Sequence, residues 1–353
     1  MVSSAERARR LVQRFGWNST CYQIVNPGID RWFSAAGDSV VGFVRRIGVR
    51  VVAGAPVCSI DRLPNVVEEF ERCRAGCVCY FGAEGRIREL LGGRPEYSTV
   101  VLGAQPIWRP EEWCRRFDAD PTLRAQRNRA ANKGVVVVEW PTEKATNHPE
   151  LWRCLHEWLE TRGLPPLHFL VEPETLGGLE GRRVFVAEKE GRPVGFVVLS
   201  PVPERRGWLT EQFVRGRGAP NGTVELTLDT AIRAVAADGD EYVTMGIVPL
   251  SNHGVGASHG NPAWLRALLA WVRAHGRRFY HFDGLDEFKS KFHPEEWEPI
   301  YAISKESRFS FRTLYAIAAA FTDGPPALAV AKGLAKAVRQ EFRWLRRSLA
   351  AAE

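Results

Sequence analysis

The segment RGRGAPNGTVEL, residues 215–226, places three glycines, a proline and two arginines between a β-like segment and a helix-like one. Glycine-rich loops that open a helix hold phosphate groups through their backbone N–H groups. The segment follows the Arg/Gln-x-x-Gly-x-Gly/Ala pattern of coenzyme-pyrophosphate loops until its sixth position, which is Pro220. Proline has no amide hydrogen to donate. The loop is therefore predicted to be a poor pyrophosphate cradle, and its acyl donor is either a coenzyme thioester or another activated ester.

The elements around this loop alternate between strand and helix patterns. Residues 183–202 read as two strands joined at Glu190-Gly191, which predicts a hairpin. The strand GWLTEQFV leads into the loop and the helix TVELTLDTAIRAVAADG leaves it. The segments YVTMGIVPL, PAWLRALLAWVRAHG and PIYAISK then predict a strand, a helix and a strand. This is the order of a GNAT acyltransferase core, so we expect an α/β fold.

The N-terminal part of the chain repeats the alternation less clearly. Ser3 and Glu6 have capping-box spacing, which predicts the start of the first helix, and strand patterns follow at 39–57. We interpret this unit as a degenerate copy of the second one, which makes the predicted fold a tandem of GNAT-like domains. The predicted units are an N-terminal domain at 1–143, a catalytic domain at 144–305 and a helical, basic tail at 306–353.

The bulk properties are those of a basic globular protein. The chain has 353 residues, of which 45% are hydrophobic and 25% charged, with a formal net charge of +7 and a pI near 9.2. Its length predicts two domains, and its charge favours a polyanionic partner, either nucleic acid or an anionic membrane. The seven cysteines lack the paired spacing of zinc sites, no secretory signal is present, and no apolar run is long enough to span a bilayer. We therefore expect a cytoplasmic protein without a metal site.

The tail changes character after Gly324-Pro325-Pro326. From Leu328 onward, apolar residues recur at helical spacing and basic residues fill the other faces, which predicts a basic amphipathic helix. Such a helix either docks on its own protein or lies on the inner, anionic face of a membrane. Periodicity does not separate these two hypotheses, so both stay open.

Three stretches of the second unit are distinctive in combination: FVRGRGAPNGTVELTL, MGIVPLSNHG and YHFDGLDEFKSKFHPEEWEPIYA. With VVAGAPVCS and LRAQRNRAANKGVVVVEWP, they make nearly the whole chain resemble the C-terminal catalytic domain of the aminoacyl-phosphatidylglycerol synthases, also called phosphatidylglycerol lysyltransferases. The resemblance implies two tandem GNAT-like domains. It also implies transfer of an amino acid from aminoacyl-tRNA to a lipid, with no coenzyme or other cofactor.

The functional positions of that family map onto this sequence one by one. The resemblance implies that Arg215 precedes a functional turn at 219–222, that Glu225 is the acid after it, and that the Phe-Lys-x-Lys-Phe motif at 288–292 supplies two cations. The implied catalytic residues are Arg215, Lys289, Lys291 and Glu225. The implied substrate-binding residues are Glu211, Gln212, Asn221, Gly222, Asp283 and Trp297. A basic helix pattern adds a candidate tRNA-facing patch, or a solvated face, at Arg124, Arg127, Arg129 and Lys133.

One position departs from the family pattern. Many lysyl-transferring members have an acid three residues before the arginine, where this chain has Gln212. Glu211 is adjacent, but neighbouring side chains of a strand point to opposite faces, so it is not an automatic substitute. The departure argues against lysine as the transferred amino acid.

Aminoacyl transfer requires an acceptor nucleophile placed against an activated ester, a stabilised oxyanion and a protonated leaving oxygen. The basic residues of the motifs are candidates for the stabilising charge, and Glu225, Asp283 or His281 for the base. His253 is interpreted as a loop residue.

Three function classes remain: a tRNA-dependent aminoacyltransferase acting on a phospholipid or small polar acceptor, an acetyl-CoA-dependent N-acyltransferase, and a non-catalytic lipid- or RNA-binding relative.

Overall fold

The computed structural model of the protein describes residues 3–162, 167–254, 260–275, 282–322 and 324–326, which form a mixed α/β fold as predicted. The strands are β1 (Asp30–Phe33), β2 (Val40–Arg46), β3 (Val49–Ala53), β4 (Cys77–Ala83), β5 (Ser98–Trp108), β6 (Val135–Trp140), β7 (Arg183–Lys189), β8 (Arg192–Val202), β9 (Gly207–Arg215), β10 (Tyr242–Thr244), β11 (Val248–Pro249) and β12 (Glu296–Ser304).

The helices are α1 (Ser4–Phe15), α2 (Leu63–Arg72), α3 (Gly85–Leu91), α4 (Pro110–Ala119), α5 (Pro121–Ala131), α6 (Thr142–Ala145), α7 (Pro149–Glu160), α8 (Thr223–Ala237), α9 (Ala263–His275), α10 (Phe282–Ser290) and α11 (Phe311–Thr322). The predicted start of α1 is confirmed, because the Ser3 hydroxyl accepts from the Glu6 amide. Among the described residues, no helix is long and apolar enough to cross a membrane.

The described strands form one sheet in the order β1-β2-β3-β4-β12-β5-β10-β9-β8-β7-β6, with β11 pairing with β5. The two halves of this sheet have the same topology. In each half, three antiparallel strands lead through a crossover helix to a parallel fourth strand: β1-β2-β3, α2 and β4 in one half, β7-β8-β9, α8 and β10 in the other. The GNAT-like order predicted for the second unit is therefore present.

The two halves exchange strands. The neighbour of β4 is β12, which comes from the C-terminal part of the chain, and the neighbour of β10 is β5, which comes from the N-terminal part. β12 and β5 then pair with each other along nine residues, Glu296–Ser304. The division at residue 143 stays a prediction about chain segments, since the hydrogen-bonded sheet runs across it.

The strand predicted at 242–250 is interrupted, and the prediction of one continuous strand is wrong. Gly246 has a φ of +70°, and it separates β10 from β11, which pairs with β5 instead of continuing beside β9. β10 consequently pairs with β9 only at Gly207–Leu209. The remaining six residues of β9, 210–215, have no strand partner on that side within the described residues.

Candidate active site

A pocket of about 290 Å³ lies beside the unpaired end of β9, where the loop 216–222 leads into α8. It is lined by Gln126, Arg129, Arg215, Asn221, Gly222, Val224, Glu225 and Phe288. Five of these residues are site residues predicted from the sequence, and they come from β9, the loop, α8 and α5. The fold thus gathers five of the fourteen predicted site residues around one opening.

Arg215 is the last residue of β9 and is exposed at the mouth of the pocket. Its Nη2 donates to the carbonyl oxygen of Ala219 at 3.1 Å and to Oδ1 of Asn221 at 2.8 Å. These bonds hold the guanidinium across the loop. Its Nε and Nη1 have no partner among the described residues, so they remain available to a ligand.

Gly222 fixes how closely α5 approaches the start of α8. Its φ is +91°, and a Cβ atom there would lie 1.9 Å from the carbonyl oxygen of Gln126 on α5. Both the backbone angle and the contact require glycine. Gly218 in the same loop has nothing within 4 Å of such an atom.

The loop amides already have protein partners. The N–H of Gly216 donates to Val194 at 2.9 Å, that of Arg217 to Oε2 of Glu157 at 2.8 Å, and that of Ala219 to Gly216 at 3.2 Å. Pro220 has no N–H. The bond from Arg217 is the main cause that lowers the pKa of the Glu157 carboxyl. The loop thus has a second feature that disfavours pyrophosphate binding, because a carboxylate from α7 already accepts the N–H of Arg217.

Glu225 and Lys291 form an ion pair at the edge of the pocket. Nζ of Lys291 donates to Oε1 of Glu225 at 2.6 Å and lies 4.1 Å from the ring centre of Phe288. The carboxylate is in the first turn of α8, where the helix dipole favours a negative charge. The side chain of Glu225 is 13% exposed and that of Lys291 33%, so the pair is half-shielded and reachable from the pocket.

Lys289 is not in the pocket. It is 3% exposed, and its ammonium donates to the carbonyl oxygens of Met245, Gly246 and Ile247 at 2.6, 2.9 and 3.3 Å. Burial lowers the pKa of Lys289 to about 7, and the charge of Asp286 opposes that shift. Lys289 therefore binds the backbone that turns away from β9, outside the pocket lining.

The side chains of Glu211 and Gln212 are both buried. The pairing of β8 with β9 shifts between Val198 and Leu199, which leaves Glu211 as the extra residue of a β-bulge. Glu211 pairs with Arg182 at 3.0 Å, and Gln212 donates to the carbonyl oxygens of Glu172 and Pro173 at 2.8 and 2.6 Å. The expected alternation of faces does not hold at the bulge, because both side chains contact the segment 172–182.

The remaining predicted residues are scattered. Trp297 stacks on His253, with ring centres 4.0 Å apart, and His253 lies 3.5 Å from a carboxylate oxygen of Asp286. His253 therefore packs against Trp297 of β12. Its interpretation as a loop residue did not predict this contact. The side chain of Asp283 and all of His281 lie outside the described residues.

The basic residues of α5 divide into two groups. Arg127 is bound to Asp118 at 3.0 Å and to Asp229 at 2.9 Å, and Arg124 donates to the carbonyl of Asp118. Arg129 and Lys133 are exposed, and Arg129 lines the pocket. The structure thus leaves two of the four predicted basic residues accessible to a phosphate.

Comparison with known proteins identifies the family. Residues 9–304 match the model described as phosphatidylglycerol lysyltransferase, C-terminal. The chain belongs to this family. A phosphatidylglycerol lysyltransferase of Bacillus subtilis is 24% identical over 291 residues, which cover 81% of this chain and 33% of that protein. A Corynebacterium glutamicum protein without a characterised function is 23% identical over 304 residues, covering 82% of this chain and 38% of that one. The chain therefore spans about a third of the length of these relatives.

Solved structures of this family share the fold. The C-terminal domain of an Agrobacterium fabrum protein assigned as a lysylphosphatidylglycerol synthetase superposes with a TM-score of 0.75 at 19% identity, covering 91% of this chain and 96% of that one. The structure of L-PGS from Bacillus licheniformis gives a TM-score of 0.72 at 20% identity, with coverages of 94% and 96%. This chain thus has the fold of phosphatidylglycerol lysyltransferase C-terminal domains.

Three residues that line the pocket or bind its loop were not predicted from the sequence. Glu157 was part of a helix pattern, Gln126 was an uncharged residue among arginines, and Phe288 was noted only as the edge of a motif. Phe288 stacks on Phe213 of β9, with ring centres 5.3 Å apart, and so walls the pocket. Only Phe288 had a signal, because its motif also contains the two lysines.

Proposed function

We propose that this chain transfers an aminoacyl group from aminoacyl-tRNA to a phospholipid, such as phosphatidylglycerol, or to another polar acceptor. The observation that carries the proposal is the pocket at the split of β9 and β10, where Arg215, Glu225 and Arg129 meet. Membership of the phosphatidylglycerol lysyltransferase family supports an acyltransferase chemistry. The donor and the acceptor are part of the proposal.

The reaction uses Arg215 and Glu225, which line this pocket, and Lys291, which is bonded to Glu225. The acceptor hydroxyl attacks the ester carbonyl of the aminoacyl group, and its proton passes to the carboxylate of Glu225. Arg215 stabilises the negative charge that develops on the carbonyl oxygen. The tetrahedral intermediate then collapses, the bond to the ribose oxygen breaks, and that oxygen takes the proton from Glu225. Lys291 holds the carboxylate of Glu225 in place through their 2.6 Å bond.

The loop favours an RNA ester over a coenzyme thioester. Three loop amides already donate within the protein and Pro220 has none, so little of the backbone is left to bind a pyrophosphate. Arg129 and Lys133 offer exposed cations to a phosphate backbone. We therefore expect no tight, saturable binding of acetyl-CoA in a calorimetric titration.

The buried side chains of Glu211 and Gln212, at the bulge of β9, bear on which amino acid is transferred. Glu211 is neutralised by Arg182, with side-chain exposures of 4% and 2%, and Gln212 carries no charge. Neither residue presents a free acid three residues before Arg215. This supports an amino acid other than lysine.

The test supplies the purified protein with tRNA charged with each radiolabelled amino acid in turn, together with phosphatidylglycerol vesicles and cytosolic metabolites. We expect labelled lipid or labelled small acceptor from one or a few of the charged tRNAs. A parallel reaction is pretreated with ribonuclease. Label that reaches product equally well after ribonuclease treatment would show that the donor is not aminoacyl-tRNA.

A further inference from the structure

Several exposed apolar side chains lie on elements that do not line the pocket. Among the described residues eight large hydrophobic side chains are exposed, and four of them lie on α9, on α11 and at the turn between β2 and β3. These are Ile47, Trp271, Phe311 and Tyr315, with exposures of 52%, 60%, 65% and 41%. Single exposed hydrophobic residues are ordinary on proteins, whereas a contiguous group marks a contact surface.

The helical spacing makes this group contiguous. Trp264, Leu268 and Trp271 follow each other at i, i+4 and i+7 on α9, so they share one face, and Phe311 and Tyr315 are at i and i+4 on α11. The ring centres of Trp264 and Phe311 are 4.0 Å apart, which joins the two stripes. We call the residues Ile47, Trp264, Leu268, Trp271, Phe311 and Tyr315 the aromatic face.

Ile47 belongs to this face through Arg312. The guanidinium of Arg312 donates to the carbonyl oxygens of Ile47 and Gly48 at 3.1 and 3.0 Å, which fixes the hairpin turn beside Phe311. Ile47 has a φ of +40°, a backbone conformation that a β-branched residue adopts only under strain. Tight hairpin turns with a positive φ at this position favour asparagine, aspartate or glycine there. A large apolar side chain is thus held at an exposed tip against its backbone preference.

The two helices of the aromatic face carry only positive charges of their own; Arg273 lies 4.0 Å from a carboxylate oxygen of Asp286, and Arg312 is bonded to the hairpin turn. The sequences of α9 and α11 contain Arg266, Arg273 and Arg312 and no aspartate or glutamate. Aromatic rings that carry a polar edge, flanked by arginine, suit the boundary between lipid head groups and acyl chains. Arginine also adds attraction to a negatively charged surface.

We propose that the aromatic face is a contact surface for an anionic phospholipid bilayer, with Ile47 and the aromatic rings entering the head-group layer. A bilayer fits better than a protein partner because the apolar side chains come from three separate elements, two of which carry arginines and no acidic residue. The contact requires no aminoacyl donor and no transfer step, so it stands or falls independently of the chemistry proposed for the pocket.

The test measures cosedimentation of the full chain with phosphatidylcholine vesicles that contain or lack phosphatidylserine, an anionic lipid that is not the proposed acceptor. We expect binding to the anionic vesicles only. The combined substitution Ile47→Asn, Phe311→Ser and Tyr315→Ser should lower that binding by at least about tenfold. The matched control, Val136→Ser with Val138→Ser, removes two exposed apolar residues from β6 and should leave it unchanged. Equal binding by the triple variant and the wild type, or an equal loss in the control, would overturn the proposal.

Two further measurements keep the outcome clear if another part of the chain also binds lipid. Vesicles that carry a photoactivatable phospholipid should form cross-links within α9, α11 and residues 46–48; cross-links confined to other segments, including 327–353, contradict the proposal. Ile47→Asn alone should raise the free energy of unfolding while lowering vesicle binding, because asparagine tolerates the positive φ. A loss of stability with unchanged vesicle binding would mean that Ile47 only packs. A wild-type dimer in light scattering that the triple variant abolishes would make the face a protein interface instead.

Discussion

The segment that joins β3 to α2 and the segment that joins β9 to α8 occupy equivalent places in the two halves of the sheet. Each contains the tripeptide Gly-Ala-Pro, at 54–56 in the first and 218–220 in the second. In the first, Gly54 donates to the carbonyl oxygen of Phe81 at 2.8 Å, and the side chains of Asn18 and Thr20 fill the space beside it. The second is bordered by the pocket. Two segments with a shared motif thus differ: protein atoms fill the site beside the first, residues 54–62, which we call the closed segment, whereas the second, residues 216–222, borders the pocket and is called the open segment.

The pairing of the parallel strands accounts for that difference. β3 pairs with β4 along its whole length, Val49–Ala53, whereas β9 pairs with β10 only at Gly207–Leu209. Lys289 binds three successive carbonyl oxygens beyond β10 that would otherwise need other partners. The site therefore depends on a split between two strands, and the Gly-Ala-Pro motif alone does not create it.

The largest expected effect comes from removing Arg215, the cation that directly precedes the open segment. Arg215→Ala should lower aminoacyl transfer by about 100-fold, because one charged donor at a developing oxyanion contributes roughly 3 kcal/mol. The fold should survive, since Arg215 is exposed and bonds only to the loop. The assay is transfer from the labelled tRNA identified above, with unfolding measured in parallel. Arg217→Ala is the matched control: its side chain pairs with Glu160, and its backbone bond to Glu157 is kept. Full activity in Arg215→Ala would remove this residue from the mechanism.

The next effect separates the two glycines of the open segment. Gly222→Ala should cost more than about 2 kcal/mol of stability, because the new Cβ meets the carbonyl oxygen of Gln126 and the φ is left-handed. Gly218→Ala should change stability by less than about 0.5 kcal/mol, since nothing lies within 4 Å. Urea unfolding of the two variants gives both values. Similar losses in both would mean that the contact between α5 and α8 does not set the geometry of the loop.

The sequence predicted the local parts of this comparison and missed the long-range ones. The loop, α8 and the hairpin of β7 and β8 were predicted because turn residues and apolar spacing are local signals. The break at Gly246 depends on Lys289, 43 residues away, and the blocked amide of Arg217 depends on Glu157, 60 residues away. Likewise, no sequence pattern around Glu211 predicts the bulge that buries its side chain beside that of Gln212. Such contacts follow from the assembled sheet, so no pattern within one element reveals them.

A smaller effect tests the burial of Lys289 against the carbonyl oxygens beyond β10. The pKa of Lys289 is lowered from 10.5 to about 7, so between these values the unfolded chain holds a proton that the native chain has released. The free energy of unfolding of the wild type, relative to Lys289→Met, should therefore rise with pH through this window. Below it and above it, the difference between the two proteins should level off. A difference that is flat across the window, measured by urea unfolding, would show that Lys289 titrates as an exposed lysine does.

The smallest expected effect concerns Arg129, which lines the pocket beside the open segment, and Lys133, which follows it by four residues. If Arg129 and Lys133 contact the phosphates of a tRNA, replacing either by alanine should weaken subsaturating transfer a few-fold and reduce the salt dependence of binding by about one counterion each. Arg127→Ala is the informative contrast, because its guanidinium already neutralises Asp118 and Asp229. That variant should lose stability and keep its salt dependence, since it removes ion pairs to the buried Asp229 and the half-exposed Asp118 and no phosphate contact. The measurement is the affinity for uncharged tRNA across a salt series. Equal slopes for Arg129→Ala and the wild type would move the RNA away from the pocket, and with it the reason for placing the donor ester beside Arg215.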